Sequence, residues 1–425
     1  MRIKIISKDS RVWIIYIILM LSMLSGGLES MGVPHKAVFL IDAFNIFLAF
    51  NVIRSIKGKH ILNPIVMTQT LFLLIGVFVA LLNDVSVFQV VWALRNYARF
   101  ILFYAACLLY LDEKAEKAFW KTMLWIYYIN FLVMNYQFYF AGISRDDLGG
   151  LFGGTGSNSA LNIFILIVLC YVTSSWLSKK KSIVSLSAVY GIAIYEAVLA
   201  EIKIVFIEIA ILFVLCLVFN LWYVHDIRKI LKIVLVGAGA AIVMSFAATF
   251  LYRLYPIFNK FFTVRYILDE ATRPGGYTNS GDLNRLTAFI SINYIVFHDN
   301  ILNMVFGKGL GYGEFSEGLK ILTGSFYTRY SYLHYHWFSH AWLYIENGII
   351  GLTLYCSGFL LTLISGIKRM RQNSILTYHY LPSILLIIFF PVIMVYNQSL
   401  RLESAYMYYL VLSFLSIKRK CLDGK

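Results

Sequence analysis

Charge is scarce in this chain: 14% of its 425 residues are Asp, Glu, Lys or Arg, against about 25% in a soluble domain. That scarcity excludes an ordinary water-soluble protein. Cysteine is scarce too, and Cys107, Cys170, Cys216, Cys356 and Cys421 all lie in apolar runs or at the C-terminal end. None falls in a candidate outside loop, so no disulfide framework is expected. Heptads, repeats of solenoid period and low-complexity tails are absent. Familiar enzyme signatures are missing as well. There is no His-Glu-x-x-His, and Gly307-Lys-Gly-Leu-Gly lacks the strand, the spacing and the Ser/Thr of a phosphate-binding loop. No Ser/His/Asp arrangement or paired-carboxylate motif stands out.

What is present is hydrophobicity, with 60% apolar and 17% aromatic residues. A membrane span needs about 20 mostly apolar residues. Apolar runs separated by charged turns mark twelve intervals, near 12–28, 37–53, 61–82, 86–111, 118–140, 159–177, 182–199, 204–223, 231–252, 341–366, 379–399 and 404–417. The expectation is an all-α polytopic membrane protein of about twelve transmembrane helices. Residues 1–252 carry spans one to nine, 253–335 form one large outside loop, and 336–425 carry spans ten to twelve. The first interval follows Arg2, Lys4, Lys8 and Arg11 as a signal peptide would, but Ser25-Gly-Gly-Leu-Glu29 is a poor cleavage site, so it reads as a retained helix.

The net charge of +15 suggests nucleic acid until its distribution is considered. Every second connection is basic: the N-terminus, Arg54/Lys57/Lys59, Lys114/Lys117/Lys121, Lys179–Lys181, Arg228/Lys229/Lys232, Lys368/Arg369/Arg371 and the C-terminal Lys418/Arg419/Lys420/Lys425. The short loops of the other face hold only Lys36, Arg145, Lys203 and Arg401. Basic loops stay inside, so both termini are expected in the cytoplasm. The charge then reports topology and anionic lipid, and nucleic acid is not an expected partner.

The long outside loop, with eight Lys/Arg and six Asp/Glu, is nearly balanced in charge. Leu283, Leu286, Phe289, Ile290 and Phe297 recur near helical spacing, predicting an amphipathic helix on the membrane face, opened by Arg285. Gly307, Gly309, Gly311 and Gly313 then break it. A shorter Gly-rich loop, Ala141 to Asn158, ends where Asn158 is expected to cap span six.

Few ionisable residues stand where chemistry could use them. Arg95 and Arg99 lie one turn apart on span four. If the helix starts near Asp84, Arg95 lies roughly 16 Å deep, which demands a buried anion or a watery cavity. If the span starts near Tyr97, both arginines snorkel to the interface. Lys203 sits with Glu196 and Glu201 at the turn between spans seven and eight, either as a salt-bridged loop or as a cation at a cavity mouth. Arg285 offers a planar fork suited to phosphate oxygens, or pairs with Asp282. His334, His336 and His340 fall within seven residues. His336 and His340, at i and i+4, could hold zinc, act as a general base, or belong to an interfacial aromatic belt with Trp337, Phe338 and Trp342.

Four local patterns resemble the O-antigen polymerase and ligase superfamily. They are Gly153-Gly-Thr-Gly-Ser-Asn158-Ser-Ala-Leu, Ala200-Glu-Ile-Lys203, Asn284-Arg285 with Phe306-Gly-Lys-Gly-Leu-Gly311, and the His-rich run leading to Glu346-Asn-Gly348-Ile-Ile-Gly351-Leu. The span count, the inside termini and the large loop before span ten are similar too. The resemblance implies a glycosyltransferase-C-type fold in the bacterial inner membrane, working at the periplasmic face without nucleotide sugar, cofactor or metal. It implies a donor glycan on undecaprenyl pyrophosphate, with Arg285 and Lys203 as pyrophosphate ligands and a histidine near the acceptor hydroxyl. The family often has Arg where this chain has Lys203. Its spacing favours His336 over His340. A chain-length co-polymerase is an implied partner. The expected activity is polymerisation of lipid-linked repeat units into O-antigen or capsular polysaccharide. A ligase acting on lipid A core and, in a different class, a flippase or transporter are the alternatives. Independently of the resemblance, Arg95 and Arg99 are expected to extend the cationic path toward the lipid carrier.

Overall fold

A computed structural model describes residues 9–33, 39–55, 63–153, 156–224, 227–254, 281–316, 318–372 and 377–417. The expected loop segment 255–280, the basic residues 2–8, Lys36, Lys57, Lys59, Cys421 and the C-terminal cluster from Lys418 lie outside them. Nine helices come first: α1 (Ser10–Ser30), α2 (Leu40–Ser55), α3 (Pro64–Leu82), α4 (Val87–Tyr110), α5 (Glu113–Tyr139), α6 (Asn158–Leu177), α7 (Ile183–Leu199), α8 (Ile204–Phe219) and α9 (Ile227–Leu254). Three short ones follow, α10 (Ala288–Ile292), α11 (Ile301–Phe306) and α12 (Ser325–Tyr330). The chain then returns to long helices with α13 (Ser339–Gln372), α14 (Thr377–Ile388), α15 (Phe390–Tyr396) and α16 (Ala405–Ser413). No strand occurs among the described residues.

All twelve apolar intervals carry helix. Among the described residues, six helical stretches are long and apolar enough to cross a membrane: Ser10–Glu29, Pro64–Leu82, Asn158–Leu177, Ile204–Trp222, Ser339–Gln372 and Tyr378–Tyr396. Local chemistry sets several starts. Asp9 accepts from the Arg11 amide at 3.0 Å and Asp112 from that of Ala115 at 2.8 Å. Asn63 accepts from Ile65 and precedes Pro64 at the first helical position.

The bundle is apolar outside and partly polar within. Leu74, Phe78, Leu81, Trp125, Leu132 and Phe246 are exposed, an apolar surface that water would penalise and lipid would not. Inside, polar groups find one another across helices. Gln69 donates to the Tyr409 hydroxyl at 2.8 Å, Asn162 to the Glu208 carboxyl at 2.8 Å and Asn130 to that of Glu196 at 3.2 Å. Such interhelical bonds contribute about 0.6 kcal/mol each in a membrane.

Helix α13 is two segments. Gly348 has φ 57° and ψ −161°, which breaks the ladder and separates Ser339–Asn347 from the longer part that packs along α3. A side chain at Gly348 would lie 2.5 Å from the Val305 carbonyl, so only glycine suits both the backbone and the space.

Candidate functional site

The segment from Gly281 to Phe338 builds a small lobe with its own core. Leu283, Ala288, Ile292, Phe297, Phe326, Leu333 and Tyr335 pack beneath Ala341, Trp342 and Ile345 of α13. The expected amphipathic helix is shorter than its pattern. Arg285 lies in the turn before α10, which starts only at Ala288. Leu283, Ala288, Ile292 and Phe297 are the buried stripe, whereas Leu286 and Ile290 are exposed.

The glycine-rich segment grips the end of the first part of α13. Lys308 and Gly309 donate backbone N–H groups to the carbonyls of Ile345 and Glu346 at 3.0 and 2.7 Å. Gly311 and Gly313 donate to the Glu346 carboxylate at 3.1 and 3.3 Å. Next to this clasp sits a charge network that sequence reasoning did not assemble. Arg401, buried in the connection between α15 and α16, pairs with Glu314 and lies 3.9 Å from Glu346. It donates to the Tyr97 hydroxyl at 2.6 Å, and its guanidinium stands 3.4 Å over the Trp342 ring. Burial alone would lower the Arg401 guanidinium, but Glu314, Tyr97 and Glu346 hold it above its ordinary value.

The same connection reaches α4 twice more. Arg99 donates to the Arg401 carbonyl at 3.1 Å and pairs with Glu403 at 2.7 Å. Burial pushes Glu403 up, but Arg99 outweighs it and holds the carboxyl below its usual range. One turn away, Arg95 pairs with Asp42 of α2, donates to Asn96 at 2.7 Å and lies over Trp92. Each of the two arginines of α4 thus has its carboxylate partner within the protein, Asp42 for Arg95 and Glu403 for Arg99.

Arg285 and His340 meet directly. The His340 ring has its Nε2 2.8 Å from the Arg285 carbonyl and its Nδ1 3.3 Å from that of Met394. A neutral imidazole has one N–H, and we assign it to the shorter contact. Both nitrogens thus face backbone carbonyls, and His340 joins the lobe to α15. The Arg285 guanidinium donates from Nε to the Tyr396 carbonyl at 3.1 Å, between the Phe338 and Tyr396 rings at 5.0 Å each. The Tyr396 hydroxyl faces the backbone amide of Ile204, the residue after Lys203. A single tyrosine therefore spans from Arg285 to the turn that carries Lys203. At that turn Glu201 pairs with Arg145 at 3.3 Å, and Asn158 donates to Asp146 at 2.6 Å and to the Ala200 carbonyl at 3.1 Å. Asn158 is the first residue of α6 and does not cap it. It fastens the Gly-rich loop to the turn between α7 and α8.

His336 stands apart from His340, because α13 begins at Ser339 and the two do not share a helical face. It is enclosed by Phe315, Tyr327 and Tyr335, with ring centroids 5.2, 5.6 and 5.6 Å away. Burial, aided by neighbouring His334, lowers its imidazole to about 4, so the ring is neutral at pH 7. His334 adopts the left-handed conformation, φ 48°, and stacks on Trp337 at 4.2 Å.

Five of the six residues singled out in the sequence thus divide into two groups. Arg285, His340 and the turn of Lys203 gather around Tyr396, while Arg95 and Arg99 belong to the Arg401 network. His336 lies between, in the aromatic cage of the lobe. Arg401 had one signal in the sequence, as a lone cation in a short connection of the less basic face. Tyr97, Glu314 and Tyr396 had none. Among the described residues, no three of His, Cys, Asp or Glu gather as a metal centre would require. No family model, curated protein or solved structure matches the chain, so its site rests on this geometry.

Proposed function

We propose that this chain is a polysaccharide polymerase of the bacterial inner membrane. It would have twelve spans and cytoplasmic termini, joining undecaprenyl-pyrophosphate-linked repeat units at the periplasmic face. One observation carries the reading: Tyr396 lies between the guanidinium of Arg285 and the turn of Lys203. These two cations come from separate loops that the resemblance names as pyrophosphate ligands. A departing pyrophosphate develops negative charge that fixed cations stabilise, and their position at the lobe–bundle junction suits a substrate with a lipid tail and a glycan head. His336, neutral at pH 7, is the base that would accept the proton of the attacking sugar hydroxyl. His340 is a positioning residue, since its Nε2–H is engaged by the Arg285 carbonyl and its Nδ1 faces that of Met394. Arg95 and Arg99, held by Asp42 and Glu403, serve the scaffold in this reading and do not line a path for the carrier.

The test is complementation of a strain lacking the protein with Arg285→Ala, Lys203→Ala and His336→Ala, followed by electrophoresis of the surface glycan. Loss of the long-chain ladder with single repeat units retained is the expected result. Loss of all attached glycan would instead indicate the ligase or the flippase, and wild-type ladders from all three variants would refute the site.

A further inference from the structure

Glu208 of α8 and Asn162 of α6 meet inside the bundle, 1% and 0% exposed. Glu208 is the fifth residue of its helix, about 6 Å along from the start, in a stretch long and apolar enough to cross a membrane. The proposed reaction uses neither residue.

Their hydrogen bonds leave a matched deficit. Asn162 donates its side-chain N–H to Glu208 Oε2 at 2.8 Å. The other carboxyl oxygen, Oε1, has no partner among the described residues, and neither has Asn162 Oδ1. Asn162 is the side chain that engages the carboxyl, and no cation among the described residues offsets it. The titratable groups that feel its charge are Cys170 of α6 and Tyr396 of α15, and both could add only negative charge. An ionised carboxylate buried among apolar helices needs a paired cation. A carboxylic acid instead carries one O–H donor and needs one acceptor, and Asn162 Oδ1 is a buried acceptor that lacks a donor. One proton therefore satisfies both residues. The neighbouring carboxyl, Glu196 of α7, accepts from Asn130 at 3.2 Å, but Asn130 Oδ1 already takes the Leu151 amide at 2.9 Å. Only the Glu208 pair keeps an acceptor free for the proton.

We infer that Glu208 and Asn162 form a proton-binding site inside the bundle, the proton residing on Glu208 Oε1 and being donated to Asn162 Oδ1. Two hydrogen bonds then join the side chains and hold α8 to α6. Glu208 is one turn from Ile204, whose amide faces Tyr396, so the bound proton fixes the start of α8 next to the turn of Lys203. Losing it would strand a charge in the apolar bundle and loosen α8 from α6 there.

The test is infrared spectroscopy of the full-length protein, purified in a mild detergent at pH 7, where a protonated carboxyl and a carboxylate absorb apart. The difference between wild type and Glu208→Gln should show the loss of a protonated carboxyl. Glu208→Gln should fold in wild-type yield, because a second amide can give and accept the same two hydrogen bonds, whereas Glu208→Ala should fold poorly. Glu403→Gln, at a carboxyl paired with Arg99 at 2.7 Å, should remove carboxylate absorption and leave the protonated band. A second readout is stability against pH. Above about 4.3, where an unfolded glutamate ionises, folding of the wild type takes up a proton that folding of Glu208→Gln does not. The wild-type folding constant should then fall about tenfold per pH unit relative to that variant. A difference spectrum showing only carboxylate, a band erased by sodium chloride but not by choline chloride, a Glu208→Gln yield as poor as that of Glu208→Ala, or a ratio of folding constants independent of pH would each overturn the assignment. None of these measurements reads turnover, so the polymerase reading stands or falls separately.

Discussion

Replacing Arg401 with leucine removes the centre of a buried network and leaves its partners in place. Glu314 would keep only the Asn96 amide, at 2.9 Å, among its described side-chain partners. Glu346 would keep the Gly311 and Gly313 amides and the Tyr97 hydroxyl, at 3.1 to 3.3 Å. Breaking a buried ion pair by deleting one partner costs about 3–5 kcal/mol, mostly because the remaining charge is stranded. Since 1.4 kcal/mol is a factor of ten, Arg401→Leu should lower the folding equilibrium constant by roughly 10²- to 4 × 10³-fold. The assay is reversible denaturation in mixed micelles, followed by the surviving monodisperse fraction. Adding Glu314→Leu should recover much of the loss, because replacing a whole buried pair by apolar groups is often near neutral. Arg401→Lys should fall between, keeping the charge but losing the fork. Because Glu346 clasps the glycine-rich segment, trypsin should also cut at Lys308 faster in Arg401→Leu. Stability within about 1 kcal/mol of wild type, which is the range of a surface ion pair, would refute the reasoning, as would a double variant no better than the single one.

Further expectations concern the histidines and one glycine. The folded His336 titrates at about 4, below the unfolded value near 6.5, so burying it neutral stabilises fully above pH 6.5 and progressively less as pH falls toward 4. Turnover measured in proteoliposomes should therefore stay level down to about pH 5, and an acid limb centred near 6.5 would exclude His336 as the base. His340→Ala should reduce folded yield, at about 1–3 kcal/mol for the Arg285 carbonyl losing its donor, whereas His336→Ala should keep yield and lose turnover. Gly348→Ala should abolish folding at φ 57°, with its new methyl 2.5 Å from Val305. Gly191→Ala, in open space within α7, should stabilise by about 0.5–1 kcal/mol, and the two can be compared by folded yield.

The helices were legible because an apolar run of span length has few alternatives, and all twelve intervals carry helix, the one near 379–399 as two pieces. The partners of the intramembrane charges were not. Hydropathy says that Arg95 and Arg99 need anions, but Asp42 and Glu403 lie 53 and 304 residues away, and no local pattern connects them. The start of α13 at Ser339 agrees with the apolar interval near 341, and only the idea that the helix reaches back to His336 did not follow. The His336/His340 spacing suggested one helical face, yet His334 in the left-handed region ends a preceding turn. Ser339 also donates its amide and hydroxyl to the Asn397 carbonyl at 3.2 and 2.9 Å, fixing the start there. Arg285 and Lys203 were visible as isolated cations of the connecting loops; Tyr396, which relates them, was hidden within an apolar run.

The clasp on Glu346 also orders biogenesis. Glycine-rich backbone, α4 and the start of α13 can all emerge from the ribosome before residues 397–404, but Arg401 and Glu403, which hold them together, come nearly last. A nascent chain stalled before that connection would expose Glu314 and Glu346 without their arginine. The clasp between the lobe and α13 would then gain its arginine only once residues 397–404 have emerged.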